Sequence, residues 1–121
     1  MLGPTAAAVQ TRRIHIEACP SSNVHTGAVA GLAAHPAAML TALGFSLSVH
    51  ADNRTASNTS ATGEAAAMVD VHRWGVDQLE IAAVAALDAA FCDPETAGQL
   101  IDDIVIPGHD TLRHTLATPT R

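Results

Sequence analysis

Two clusters of polar side chains follow the two segments of the chain that are predicted to be β-strands. The first cluster begins near the end of "IHIEA" and continues beyond it, and the second begins at the end of "FSLSVH" and continues into "ADN". The carboxyl ends of parallel strands meet at one edge of a sheet, and α/β proteins bind their ligands at that edge. The polar residues concerned are Glu17, Cys19, Ser21, Ser22 and Asn23 in the first cluster, and His50, Asp52 and Asn53 in the second.

Several of these residues also have a simpler structural explanation. An aspartate after a strand, such as Asp52, is more often a turn former or a helix N-cap. Ser22 is equally typical of a turn, and Cys19 is expected to be a small buried thiol and not a nucleophile. His35 precedes Pro36 and could cap a helix. The other histidines that we considered lack metal-ligand spacing and are interpreted as surface or satisfied side chains: His25, His50, His72, His109 and His114.

Composition narrows the class of protein. A chain of 121 residues is one domain at most, and its net charge of −6 with no lysine argues against a nucleic-acid or polybasic membrane surface. Its two cysteines form no Cys-x-x-Cys pair, and the N-terminus lacks the pattern of a signal peptide. Both features predict a cytoplasmic protein without a disulfide framework.

The predicted elements alternate in the order that produces parallel sheets. A strand over residues 14–18 leads through a Gly- and Ala-rich loop to a helix that begins near Pro36 and ends at Gly44. A second strand follows over residues 45–50, and a polar loop covers 52–60. Three further helices are predicted, and the first covers residues 61–74. The second begins at Asp77 with Glu80 as its capping-box partner, and its apolar stripe consists of Leu79, Ala83, Leu87 and Phe91. The third begins at Pro94 and ends at Pro107–Gly108.

The motifs at the strand ends resemble a known family. "EACPSSN", the "TGA" that follows it, and "ADNR" match in order and spacing the last third of the adenosine deaminases. Those enzymes are zinc-dependent (β/α)8 barrels of the amidohydrolase type. The resemblance spans about residues 12–112, and its Asp-Asn-Arg form is similar to that of actinobacterial members.

The resemblance implies an α/β fold that is the C-terminal part of a (β/α)8 TIM barrel. We expect two parallel strands and about four helices, which leave the barrel incomplete. The implied organisation is a poorly ordered segment over residues 1–11, the barrel portion over 12–113 and a tail over 114–121.

The resemblance also implies a role for five residues. Asp52 takes the position of a zinc ligand at the end of the eighth strand, and Asn53 takes the position of the residue that holds the purine N7. An amide can donate an N–H to a neutral N7, although most relatives have a second aspartate there. Ser22 and His35 match supports around the metal ligands. Glu17 matches an acidic position in the seventh strand, where we expect it to be buried and hydrogen-bonded.

The implied reaction is conversion of adenosine to inosine by water activated on Zn²⁺. The family's His-x-His, its third zinc histidine and its proton-shuttling glutamate have no counterpart here, so we expect no zinc binding or activity from the chain alone. The implied partner is a polypeptide with the preceding part of the barrel, and the implied substrate is a purine nucleoside. Two alternatives stay open: a non-catalytic remnant that acts as a binding or assembly partner, and a sister aminohydrolase for adenine or a related purine.

Overall fold

The chain folds as two compact units, residues 1–74 and residues 75–121. The computed structural model describes residues 2–118.

The first unit contains both strands, β1 (Ile16–Ala18) and β2 (Leu47–Val49), which pair in parallel. In the register, Ile16 lies opposite Leu47 and Ala18 lies opposite Val49. The predicted parallel pair is therefore confirmed, although both strands are shorter than predicted. The helices of this unit are α1 (Pro4–Thr11), α2 (Pro20–His25), α3 (Ala37–Ala42), α4 (Arg54–Ser57) and α5 (Ala61–His72), with a 3₁₀ turn at Leu32–Ala34 between α2 and α3.

One face of the strand pair builds the core of the first unit. Ala18 and Leu47 are buried on that face, and α3 and α5 both pack against β2. Ala37, from the start of α3, and Met68, from α5, are also buried, as expected where helices cover a sheet. Ile14, which the prediction included in the first strand, lies before β1 and is exposed.

Three helices of the first unit were not predicted. Residues 4–11, predicted to be poorly ordered, form α1, with Pro4 in its first turn. Pro20 and the serines after it were predicted as a turn but form α2, since a proline suits the first turn of a helix as well as a turn. Within the predicted polar loop, α4 is a single helical turn.

Gly44 ends α3 as predicted. Its φ is +79°, in the left-handed region that glycine enters without steric cost, and it directly follows the last residues of α3. The sharp turn there returns the chain from α3 to β2.

The second unit is helical: α6 (Val76–Asp88), α7 (Pro94–Leu100), a π-helical turn (Ile101–Val105) and α8 (Ile106–Ala117). The start of α7 is as predicted, since Asp93 accepts the backbone N–H of Thr96 at 2.9 Å. The prediction that Pro107–Gly108 ends the helix is wrong. The π turn ends at Val105, two residues before Pro107, and its i→i+5 hydrogen bonding gives a wider turn that accommodates a ring that lacks an N–H and would crowd the preceding turn of an α-helix.

The start of α6 also differs from the prediction. Gln78, and not Glu80, closes its first turn, because the Gln78 side chain accepts the Gly75 N–H at 2.9 Å. Glu80 instead forms an ion pair with Arg113 of α8, with the charged atoms 2.8 Å apart, and Arg113 lies 2.8 Å from Asp77 as well. The predicted stripe is half-buried at Leu79, Ala83 and Leu87, but Phe91 lies beyond the helix and is fully exposed.

No helix in the part of the chain that the structure describes combines the length and the hydropathy required to cross a membrane. The predicted tail over residues 114–121 is helical as far as Ala117, and residues 119–121 lie outside the described residues. The predicted boundaries at residues 12 and 113 stay predictions.

Gly44→Ala is expected to destabilise the protein by about 1–2 kcal/mol, because an L-residue is strained at a left-handed φ. Gly98→Ala is the matched control. Gly98 lies inside α7 without a positive φ, and no atom lies within 4 Å of an added Cβ, so the same change should stabilise by about 0.5–1 kcal/mol. Urea denaturation followed by circular dichroism measures both changes, and equal effects of the two substitutions would contradict this description of Gly44.

Candidate functional site

The carboxyl edge of the strand pair brings the two predicted polar clusters together. Ser22 is buried in α2, which follows β1, and its Oγ donates a hydrogen bond to Asp52 Oδ2 at 2.7 Å. Asp52 follows β2 and is exposed. Residues thirty positions apart in the sequence therefore meet as parallel pairing requires, and one oxygen of the carboxylate is oriented by Ser22.

Asp52 sits in a strained turn. Its φ is +54°, and aspartate is one of the few side chains that enter the left-handed region with some frequency. Asp52 is not the N-cap of the helix that follows, because Asn53 has that role: Asn53 Oδ1 accepts the Ala56 N–H at 2.9 Å. The helix-cap explanation of Asp52 is therefore wrong, and the turn positions its carboxylate beside Ser22.

Asn53 is exposed beside Asp52. Since its Oδ1 accepts from the start of α4, a contact with a ligand would use its Nδ2 amide group. An N–H donor is the group that a neutral purine N7 requires. The geometry is therefore compatible with the role that the family resemblance implies.

His35 supports the edge indirectly. Its Nδ1 accepts the Ala37 N–H at 3.2 Å, so its Nε2 carries the proton and donates to Asn23 Oδ1 at 2.9 Å. His35 thus connects the start of α3 to α2, the helix that carries Ser22. Burial lowers the pKa of the His35 imidazole, the neighbouring His72 lowers it further, and the Glu64 carboxylate opposes both effects.

Glu17 is not buried in this chain. It lies on β1 opposite Ser48, and its side chain is exposed. The predicted burial is wrong here, because within residues 2–118 each strand pairs only with the other, and the Glu17 side chain is not covered. A hydrogen-bonding role for Glu17 stays a prediction.

A hydrogen-bonded ladder on the polar face of the strands was missed. His15 contacts Ser46 Oγ through Nδ1 at 2.8 Å and Ser48 Oγ through Nε2 at 2.7 Å, and Ser48 Oγ also contacts His50 Nε2. His50 is therefore a satisfied histidine, as predicted. Burial lowers the pKa of His15, while the Glu17 charge raises it. The alternation of polar residues in both strands could have indicated a polar face, but which of its side chains meet depends on the register between the two strands.

Cys19 is not suited to be a nucleophile. It is a free, half-buried thiol, and burial raises its pKa, as do the charges of Asp52, Glu17 and Glu64. A raised pKa reduces the fraction of thiolate, which is the reactive form.

The described residues do not form a complete metal site. Across residues 2–118, no group of three or more His, Cys, Asp or Glu side chains is arranged to hold a metal ion. Asp52 supplies one carboxylate, and a zinc centre needs three or four protein ligands. The residues present therefore fit a single position in a zinc centre and not the whole centre.

The chain is similar in sequence to proteins of one known family. A family profile described as adenosine deaminase matches residues 5–107. The adenosine deaminase of Mycobacteroides abscessus is 36% identical over 111 residues, which cover 92% of this chain and 31% of that protein. The adenosine deaminase of Mycobacterium sp. strain KMS is 38% identical over 111 residues, which again cover 92% of this chain and 31% of that protein. The chain thus spans about a third of the length of these curated relatives.

Two solved structures share the fold. Adenine deaminase from Arthrobacter aurescens superposes with a TM-score of 0.81 at 22% identity, over 84% of this chain and 31% of that one. The ADAL–IMP complex superposes with a TM-score of 0.80 at 23% identity, over 92% of this chain and 32% of that one. The predicted partial TIM barrel is confirmed by these similarities.

We expect the stability of the chain to decrease as the pH falls below about 6.5, the ordinary pKa of histidine. Folding lowers the pKa of His35 and His15, so the unfolded chain binds more protons in this range, and acid favours unfolding. Urea denaturation between pH 7.5 and pH 5 measures the effect. His35→Gln should reduce the pH dependence, whereas the control His25→Gln, at an exposed position, should leave it unchanged. A pH dependence that His35→Gln leaves intact would contradict this assignment.

Proposed function

Because the chain belongs to the adenosine deaminase family, we propose that it supplies the final strand–helix portion of a purine deaminase. The proposed reaction of the completed enzyme is hydrolytic deamination at purine C6, which converts adenosine and water to inosine and ammonia. Since the chain covers 31% of its curated relatives, this activity is proposed for the completed enzyme and not for the isolated chain.

The observation that carries the proposal is the contact between Ser22 and Asp52 at the carboxyl edge. An exposed carboxylate with one oxygen fixed by a buried hydroxyl is suited to bind a cation through its other oxygen. The sequence motifs that resemble the family's site, "EACPSSN" and "ADNR", supply both of these residues.

We propose Zn²⁺ as the cofactor and Asp52 as one of its ligands. In a complete site the ion would act as a Lewis acid that lowers the pKa of bound water. The remaining ligands, and the group that transfers the proton, would come from residues outside this chain. The residues of this chain orient the Asp52 carboxylate and hold the turn that follows β2.

Asn53 is the residue that we propose to contact the purine. Its Nδ2 would donate a hydrogen bond to N7, while its Oδ1 continues to cap α4. The Asn53 Nδ2 would then donate from a fixed position, because the hydrogen bond by which Oδ1 caps α4 restricts the side-chain rotamer. The choice between adenosine, adenine and other aminated purines depends on residues outside this chain.

The proposed partner is a polypeptide that carries the preceding strands of the barrel. The strand pair is an incomplete sheet, and each of its outer edges presents unpaired backbone groups, a template for a further strand. We also propose a cytoplasmic location, in line with two free cysteines.

The purified chain is expected to convert no adenosine, because a single carboxylate does not hold the metal that the reaction requires. Loss of adenosine absorbance, measured with added zinc against buffer, checks this. Turnover clearly above buffer would contradict the proposal that the chain is one portion of the site.

Mixing the chain with a polypeptide that carries the preceding strands is expected to restore deamination, and Asp52→Ala should reduce the rate to background. Ser22→Ala should reduce it by about 10- to 100-fold, the usual effect of removing a residue that orients a metal ligand. Asp70→Ala, at an exposed position of α5, is the control and should have no effect. Unchanged turnover with Asp52→Ala would contradict the assigned site, and stable association without turnover would favour a non-catalytic binding role.

A further inference from the structure

Glu64, on α5, is a fully buried carboxylate that lies outside the motifs "EACPSSN" and "ADNR". Its side chain is 0% exposed. Its Oε2 accepts the backbone N–H of Ser21 at 3.0 Å, and its Oε1 is buried without a hydrogen-bond partner among the described residues.

Local structure does not account for a glutamate at this position. The neighbouring positions of α5 are largely alanine, which suits a helix interior, and burial of a carboxylate costs several kcal/mol. The single hydrogen bond to Ser21 offsets only part of that cost, because the other oxygen loses its contact with water. A leucine or methionine would pack at a lower free-energy cost, so the role of Glu64 lies in the groups that it contacts.

Glu64 holds the start of α2. Pro20 is the first residue of α2 and has no N–H, so the Ser21 amide is the first donor of the helix. Cys19, at the N-cap, contributes no side-chain hydrogen bond. The Glu64 carboxylate therefore supplies from α5 the acceptor that the local sequence lacks.

The residue after Ser21 is Ser22, whose Oγ donates to Asp52 Oδ2. Two successive residues of α2 thus connect the buried Glu64 to the exposed carboxylate at the strand edge. The charge of Glu64 also acts on this region, since it contributes to the raised pKa of Cys19 directly before α2.

We propose that Glu64 is a positioning residue for Asp52. It fixes the first turn of α2 through the Ser21 amide, and this turn directs the Ser22 hydroxyl to Asp52 Oδ2. The consequence for catalysis rests on the proposed function of Asp52, but the positioning itself is a property of this chain and can be tested without activity.

The test uses the full chain labelled with ¹³C and ¹⁵N, at one fixed pH. Hydrogen exchange of the Ser21 amide reports the contact with Glu64, and the ¹³C shift of the Asp52 carboxyl reports the contact with Ser22. Ser22→Ala defines the carboxyl shift of an unpositioned Asp52. Asp70→Asn, on the exposed side of α5, is the control and should change neither signal.

Glu64→Leu should increase Ser21 exchange by about tenfold or more and move the Asp52 shift to the value seen with Ser22→Ala, since a tenfold change corresponds to about 1.4 kcal/mol and a hydrogen bond to a charged group is worth at least about that much. Glu64→Gln keeps an acceptor oxygen at the same reach and should retain both signals. If Glu64→Leu does not fold, Glu64→Asp replaces it, because the shorter side chain withdraws the carboxylate from Ser21 while keeping the charge.

Faster Ser21 exchange with an unchanged Asp52 shift would overturn the proposal and make Glu64 a cap of α2 only. Unchanged exchange in both Glu64→Leu and Glu64→Asp would overturn it as well. A failed proposed function has a different signature: the two NMR signals stay coupled, but Asp52→Ala leaves deamination by the completed enzyme unchanged.

Discussion

The hydrogen bond from Ser22 to Asp52 depends on the parallel pairing of β1 and β2, and the candidate site depends on that hydrogen bond. Parallel strands bring their carboxyl ends to one edge of the sheet, so residues that follow the two strands can meet in one site. The 2.7 Å contact joins residues that are 30 positions apart, and neither motif could orient the carboxylate by itself. Three neighbouring features each hold one end of this contact in place: the left-handed turn at Asp52, the Asn53 cap of α4 and the Glu64 cap of α2.

Support for the edge comes from buried polar groups that connect successive elements. His35 joins α3 to α2 through Asn23, and Glu64 joins α5 to α2 through Ser21. Both contacts converge on α2, a helix of six residues that is too short to be stable by itself. The protein thus holds a short polar helix at the strand ends by contacts from two neighbouring helices, and this rigidity is what a metal ligand requires from its surroundings.

The sequence predicted those parts of the site that depend on local chemistry. The alternating residues of both strands, the glycine after α3 and the Asp93–Pro94 helix start all follow from short-range rules, and each is present. The two polar clusters that contain Ser22 and Asp52 were predicted to share one edge, because both follow parallel strands. The family resemblance, and not periodicity, provided the roles of Asp52 and Asn53.

The remaining features depend on tertiary packing. The His15–Ser48 contact requires the strand register, and the burial of Glu64 requires the packing of α5 against the other elements of the first unit. Pro107 was predicted to end a helix, because a proline normally removes a hydrogen bond and clashes with the previous turn. A π turn at Ile101–Val105 absorbs that disruption, and no short-range signal distinguishes the two outcomes.

The central claim is that Asp52 is one ligand of a metal centre that other residues complete. The most direct test is the zinc content of the complex between this chain and a polypeptide carrying the preceding strands, measured after dialysis for the native chain and for Asp52→Ala. We expect about one zinc ion per complex with the native chain, as in a single catalytic centre, and a clear loss with the variant. Equal zinc content in the two complexes would contradict the claim and would make the Ser22–Asp52 contact a structural feature of the strand edge.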